Sequence, residues 1–429
     1  MVHFLDVNVL MRFLVPLAES LKNEGHQGAN VSHFPFMKRL SFTTILLLGL
    51  LLSSLRAQAQ AYDQLLEAAA HQLSQKNYCE ATAAFERAFA DSTKAGPFDL
   101  YAGAGAAANC PARQVQALRW LLQLARQPKL AITVPDVDNM AQDTSLRSLH
   151  NLPGWSQCLS RLRRAATQHA TEVQQAAAEW QATALRQALP LPARQGAYAP
   201  AHPGFALYYA PVDTVRVPYL VYVPKTYQPA RPAVLIVYLH GGIANTTQFQ
   251  AADPRVAEEP IFAAAAAHNA LLLYPFGRKS FGWLEQRAAL RNVSTMVAQV
   301  QQRYHIDRHR VYLGGMSNGG TAAFWFACHS PAGFAGFFAL SASLTSALGP
   351  LNFQQLRQGA PLYSLHAQDD EIVAYKDVQA IYAQQHPSRW HFASRPTGGH
   401  GFLYGPDGLA ALNSLLTQLL KEPVSRNPK

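Results

Sequence analysis

The stretch Gly314-Gly315-Met316-Ser317-Asn318-Gly319-Gly320 constrains this chain more than any other. It stands between an apolar run, Arg310-Val-Tyr-Leu313, and an Ala-rich run that opens at Thr321. The first reads as a strand and the second as a helix. In a G-x-S-x-G that joins strand to helix, the serine backbone is strained, and a Cβ two residues to either side would collide across the turn. Such a turn lifts the serine Oγ into the open at the carboxyl edge of a sheet. It also aims a helix N-terminus at that oxygen, where developing negative charge is favoured. Ser317 is therefore the candidate nucleophile.

The sequence around this turn alternates between strand and helix. Strands are expected at 219–223, 233–239, 270–274, 310–313, 336–340, 361–365 and 390–393, and helices at 257–268, 290–304, 321–329, 373–386 and 408–420. The alternation argues for a mainly parallel, doubly wound sheet with helices on both faces. The unbroken apolar run Ala233–Leu239 suits a strand buried on both sides.

A serine is a poor nucleophile until a base takes its proton. Among 16 histidines, His400 is singled out by its place in Thr397-Gly398-Gly399-His400-Gly401-Phe402, after the last strand and before the last helix. A carboxylate to orient it is offered by Asp369, Asp370 and Glu371, which follow the 361–365 strand; chain order Ser…Asp/Glu…His is one of those known for such sites. An oxyanion site needs two backbone N–H groups. One is expected from Asn318, and the other from Leu239-His240-Gly241-Gly242, with Gly242 first and Gly241 or Ile243 as alternatives. His240 reads as structural within that loop. Trp283 and Phe281 either line a substrate cleft or pack, and Arg278 and Lys279 either meet an acidic substrate or are solvated. The stretch Ser341–Ala360 is too short for a large cap, which suggests an open cleft.

Residues 205–422 resemble the α/β-hydrolase superfamily. They are most similar to secreted esterases of the polyhydroxybutyrate-depolymerase and feruloyl-esterase type, which shade into prolyl-oligopeptidase-type enzymes. The resemblance is carried by Leu239-His-Gly-Gly242, Ile306-Asp307-x-x-Arg310-Val-Tyr, Ser317-Asn-Gly-Gly320, His366-x-x-x-Asp370-x-x-Val373 and Gly398-Gly-His400. It implies that Asp370, the fifth residue of the family's His-Gly-x-x-Asp pattern, is the acid; Ala367 stands where glycine is usual. It also implies a serine carboxylic-ester hydrolase that works through an acyl-enzyme, needs no cofactor or metal, and takes small-molecule or polymer-borne esters. A serine peptidase on the same fold and a non-catalytic binding protein are the alternatives.

Upstream, residues 62–189 read as a small all-α domain. Leu65, Ala69, Ala81, Phe85 and Ala88 recur 36 residues later as Tyr101, Gly105, Ala117, Leu121 and Leu124. Ala81-x-x-x-Phe85-x-x-Ala88 resembles the tetratricopeptide repeat, whose period is 34. A partial third unit is expected through Leu146, Leu149, Trp155 and Leu159, then a polar helix over 165–189 and a linker over 190–204. The repeat could serve protein contact or simply be a helical hairpin.

Lys38 and Arg39, the sixteen uncharged residues Leu40–Leu55 and Ala57-Gln58-Ala59-Gln60-Ala61 have the form of a signal peptide over 37–61. The apolar run falls short of the ~20 residues of a membrane span. Met37 before Lys38 suggests that 1–36 is a misassigned upstream extension. Export makes the protein secreted or periplasmic, without stable membrane insertion after cleavage. It also permits a Cys79–Cys110 bridge, with two free thiols as the alternative. The net charge of +10 divides as +2 over 1–61, +2 over 62–199 and +6 over 200–429, without a basic run, so no nucleic-acid partner is expected.

Overall fold

The computed structural model describes residues 62–423 apart from 92–93, 128–131, 195, 213–214, 243–249, 278–281, 284–285, 330–332, 346–347 and 386–387. The expected signal peptide and upstream extension lie outside the described residues. The chain divides into two compact units between Glu172 and Val173.

The first unit is helical. Helix α1 covers 62–74, followed by α2 (Tyr78–Ala88), α3 (Pro97–Ala108), α4 (Gln114–Leu124) and α5 (Val134–Met140). Ala69, Ala81 and Ala117 are fully buried among these helices. Phe85, Phe89 and Trp120 fill the space between, with ring centroids 5.2–6.4 Å apart. Cys79 and Cys110 are joined by a disulfide, which settles the two open readings in favour of the bridge.

The chain then enters α6, one helix of 32 residues, Trp155–Arg186. The sequence suggested a third repeat followed by a separate helix from Ala165; Leu146 and Leu149 instead lie in a 3-10 turn, and Trp155 and Leu159 open α6 itself. The expected limits at 189 and 205 are corrected as well, because the C-terminal part of α6 packs with the second unit. Ala184 joins its core, and the Trp180 indole N–H donates to the Ala251 carbonyl at 3.0 Å. The stretch after it is not a free linker: the Leu189 N–H donates to Tyr208 Oη (2.8 Å) and its carbonyl accepts from Arg303 Nε (3.0 Å).

The second unit holds an eight-stranded sheet: β1 (Gly204–Val212), β2 (Val215–Val223), β3 (Ala233–Leu239), β4 (Leu271–Pro275), β5 (Ile306–Met316), β6 (Gly336–Leu340), β7 (Leu362–Ala367) and β8 (Trp390–Arg395). The order is β1-β2-β4-β3-β5-β6-β7-β8. β2 runs antiparallel to both neighbours, and all other pairs are parallel. The helices are α7 (Pro260–Ala267), α8 (Arg287–Arg303), α9 (Asn318–His329), α10 (Phe353–Gln358), α11 (Tyr375–Gln385) and α12 (Gly408–Lys421). This mixed sheet with its helices fits an α/β-hydrolase fold.

Side chains alternate across a strand, and β3 shows what that does here. Leu235, Val237 and Leu239 enter a core with α8 and α9, while Val234, Ile236 and Tyr238 enter a second core with α7 and α12. Both faces being covered, the run has no polar position. β1 was not anticipated from the sequence. It follows a Pro-containing stretch and carries Pro211, which an edge strand tolerates because one side of it needs no ladder bonds.

Candidate active site

Ser317 lies between β5 and α9 with φ of 52°, the left-handed region that side-chain-bearing residues rarely occupy. Its N–H donates to the Leu340 carbonyl at the end of β6 (2.8 Å), and its carbonyl accepts from Thr321 N (2.8 Å). A Cβ at Gly315 would stand 2.3 Å from the Leu239 carbonyl oxygen, and one at Gly319 only 1.8 Å from it. Only glycine lets the turn close against the end of β3, which is the collision the sequence pattern implied.

His400 reaches the serine from the loop after β8. Its Nε2 is 2.9 Å from Ser317 Oγ, and its Nδ1 is 3.0 Å from each carboxylate oxygen of Asp370. The carboxylate can only accept, so Nδ1 carries the proton and Nε2 is left to accept from the serine hydroxyl. The side chain of Asp370 is fully buried. Oδ1 accepts from Ile372 N (3.0 Å) and Val373 N (2.8 Å), and Oδ2 lies 3.1 Å from His366 Nε2. His366, itself buried, bonds the Val373 carbonyl with the same nitrogen (2.8 Å). The sequence held a signal for this, the His366-x-x-x-Asp370 spacing, but gave His366 no role.

The neighbouring acids do other work. Asp369 accepts from the N–H of Gly399 (2.8 Å) and Gly398 (3.0 Å), which holds its carboxyl below the usual carboxylate range. Glu371 accepts from His400 N (3.2 Å).

Gly242 follows β3 with φ of 70°, and Gly241 beside it passes so near that a Cβ there would meet Ser317 Cβ at 3.2 Å. The loop therefore crosses the nucleophile. Asn318 is the first residue of α9, where backbone N–H groups have no intrahelical acceptor. Ile243, Phe281, Arg278 and Lys279 lie outside the described residues. His240 is buried; its Nε2 accepts from Gly277 N (3.0 Å) and its Nδ1 is 2.9 Å from the Gly241 carbonyl. Burial pushes it down to about 4, so it is a neutral strut between two loops, as expected. Trp283 is corrected: at 4% exposure it packs on Gly277 and edge-on to His240, 4.8 Å between centroids, and is a core side chain under the loop, not a cleft wall.

One further group went unread in the sequence. Glu259, buried at the start of α7, accepts from the hydroxyl of Tyr404 (3.2 Å), four residues past His400. Burial pushes its carboxyl up to about 7, against the Tyr404 bond. The hydroxyls of Tyr238 and Tyr274, buried nearby in the same core, have no hydrogen-bond partner among the described residues.

No protein-family model matches the chain, and no curated protein does. Among solved structures, it is similar to a thermostable esterase (20% identity, TM-score 0.40), covering 51% of this chain and 62% of that one. It is similar to the fluorophosphonate-binding serine hydrolase FphF of Staphylococcus aureus (16%, TM-score 0.41), covering 52% of this chain and 100% of that one. It is also similar to dipeptidyl peptidase 4 of Porphyromonas gingivalis (14%, TM-score 0.39), covering 50% of this chain and 35% of that one. The chain thus spans less than two thirds of the esterase and about a third of the peptidase. Its chemistry is read from its own side chains.

Those side chains form a relay. A buried carboxylate, satisfied by two backbone amides, fixes the tautomer of an imidazole whose other nitrogen faces a serine hydroxyl on a strained turn. Such a group can take a proton from the serine as it attacks a carbonyl carbon and return it to a leaving group.

Proposed function

We propose that the protein is a serine carboxylic-ester hydrolase with Ser317 as nucleophile, His400 as general base and acid, and Asp370 orienting the imidazole. The observation that carries this is His400 bridging Ser317 Oγ and Asp370 through its two nitrogens at 2.9 and 3.0 Å. His400 removes the serine proton, and Oγ bonds to the ester carbonyl carbon. The backbone N–H groups of Asn318 and Gly242 are the proposed donors to the oxyanion. The C–O bond to the alcohol breaks as His400 returns the proton to the leaving oxygen. Water, deprotonated by His400, then attacks the acyl-enzyme; Ser317 Oγ leaves and recovers its proton, and the carboxylic acid is released.

In this reading the enzyme is exported, supported by the signal-like segment and by a disulfide that an oxidising compartment maintains. Its substrates are small or polymer-borne esters of the kind suggested by the resemblance to polyhydroxybutyrate-depolymerase-like and feruloyl-esterase-like enzymes. The helical unit is a tetratricopeptide-like module for protein contact.

The test is Ser317→Ala measured on a small chromogenic ester. Turnover is expected to fall roughly 10⁴-fold or more, with the thermal transition retained. Retained turnover overturns the assignment. A panel of acetyl, feruloyl, hydroxybutyryl and peptide substrates then separates esterase from peptidase.

A further inference from the structure

The loop that carries His400 is intrinsically loose. Gly398 and Gly399 have φ of 125° and 60°, and Gly401 follows. Glycine loses more backbone freedom on ordering than any other residue, so this loop has little reason of its own to hold an imidazole at one angle. Yet catalysis through a bridging histidine demands a fixed angle, and a misplacement on the order of 1 Å can slow the reaction roughly a hundredfold.

Two side chains outside the triad grip the backbone of His400 itself. Glu371 Oε2 accepts from its N–H at 3.2 Å, and Ser341 Oγ donates to its carbonyl at 2.9 Å. Ser341 is fully buried and has φ of 46°, one of four described non-glycine residues with positive φ, Ser317 being another. Backbone strain of this kind persists only where the surroundings enforce it. Ser341 directly follows Leu340, whose carbonyl accepts from the N–H of Ser317, and its own N–H donates to the Leu365 carbonyl. Two consecutive residues at the end of β6 therefore hold the nucleophile by one backbone bond and the base by one side-chain bond.

We propose that Ser341 and Glu371 are positioning residues that fix the Ser317–His400 approach by clamping the two backbone polar groups of His400, with the carboxyl end of β6 as the common reference. This rests on the esterase reading above. Without the clamp the loop samples orientations in which Nε2 does not face Oγ. Each turnover then waits for the aligned one, while substrate binding, which does not use His400, is unaffected. Loss of the clamp should appear in kcat and not in KM.

The experiment compares Ser341→Ala, Glu371→Ala and Glu371→Gln with the unaltered full-length protein on the same chromogenic ester. Glutamine keeps an oxygen that can accept from His400 N–H, so it separates the bond from the charge. Both alanine variants are expected to lose about tenfold in kcat with KM within about twofold of the starting value. Glu371→Gln should recover most of that loss, and the thermal midpoint of all three should stay within a few degrees. Unchanged kcat in both alanine variants overturns the clamp, as does a loss confined to KM. So does failure of glutamine to recover activity in a protein whose thermal midpoint is unchanged. If the unaltered protein neither turns over esters nor labels with a fluorophosphonate, the esterase reading fails, whatever the variants do; if it does both, the comparison tests the clamp alone.

Discussion

Glu259 is a buried carboxyl group, and its one described side-chain partner is the Tyr404 hydroxyl. Burial outweighs that bond and raises the carboxyl from 4.5 to about 7. The sign of the consequence follows. The unfolded chain ionises this group freely, and the folded chain does so only at higher pH. The stability it contributes is whole below about 4.5, declines as pH rises, and is gone above about 7. The difference amounts to roughly 3 kcal/mol. Glu259→Gln removes the titration and keeps an amide oxygen that can accept from the Tyr404 hydroxyl. Thermal unfolding should show the variant gaining several degrees on the unaltered protein between about pH 5 and about pH 8; a gap that does not change with pH refutes the account. His240 acts in the opposite sense, because burial lowers it to about 4. Its contribution is whole above about 6.5 and is lost as pH falls towards 4, and comparing variant with unaltered protein at each pH cancels it.

At the scale of elements, the end of β3 dictates the turn after β5. The Leu239 carbonyl points into the space where a Cβ at Gly319 would lie, and it belongs to a strand paired on both sides. Leu239 is itself paired with Gly315 of β5, which limits how far its carbonyl can retreat. Gly319→Ala is expected to destabilise the second unit by about 3 kcal/mol or more, read as a lowered denaturant midpoint together with lost ester turnover. A near-unaltered midpoint would show that the turn can yield. This constraint was legible in the sequence because it is local: five residues, flanked by a strand and a helix, state it completely. The glycines before His400 were legible for the same reason, whereas the residues alone left Asp369, Asp370 and Glu371 open and only the family resemblance pointed to Asp370. The Ser341 contact was not, because it joins residues 59 apart through the register of β6 against β7 and the course of the loop after β8, and nothing near Ser341 announces it. Trp283 stayed open between two readings because a tryptophan after an apolar strand looks the same whether it faces a cleft or lies on a glycine. Helix α10, six residues long, is too short to establish a period. The boundary at Glu172–Val173 was hidden because α6 continues through it, and the helical pattern does not say which core each turn enters.

For the whole molecule, the two units have separate cores and different covalent support. The first carries the Cys79–Cys110 bridge, which closes a loop spanning 31 residues. Restricting the unfolded chain over such a loop is worth about 3–4 kcal/mol in the chain-entropy picture. Calorimetry of the full-length protein should resolve two transitions, of which only one falls when a reductant is added; a shift in both, or in neither, contradicts this division. The remaining cysteines, Cys158 and Cys328, are buried at 1% and 0% exposure, and burial raises both thiols, Cys158 to about 11 and Cys328 to about 12. With all four cysteines so placed, the protein keeps a ledger of the compartment it matured in. Molecules that crossed into an oxidising space offer a maleimide nothing while folded, two sites once denatured, and four only after denaturation with reduction. Molecules retained in a reducing cytosol offer all four on denaturation alone, so a gel-shift assay on whole cells can read the history of export from the polypeptide itself.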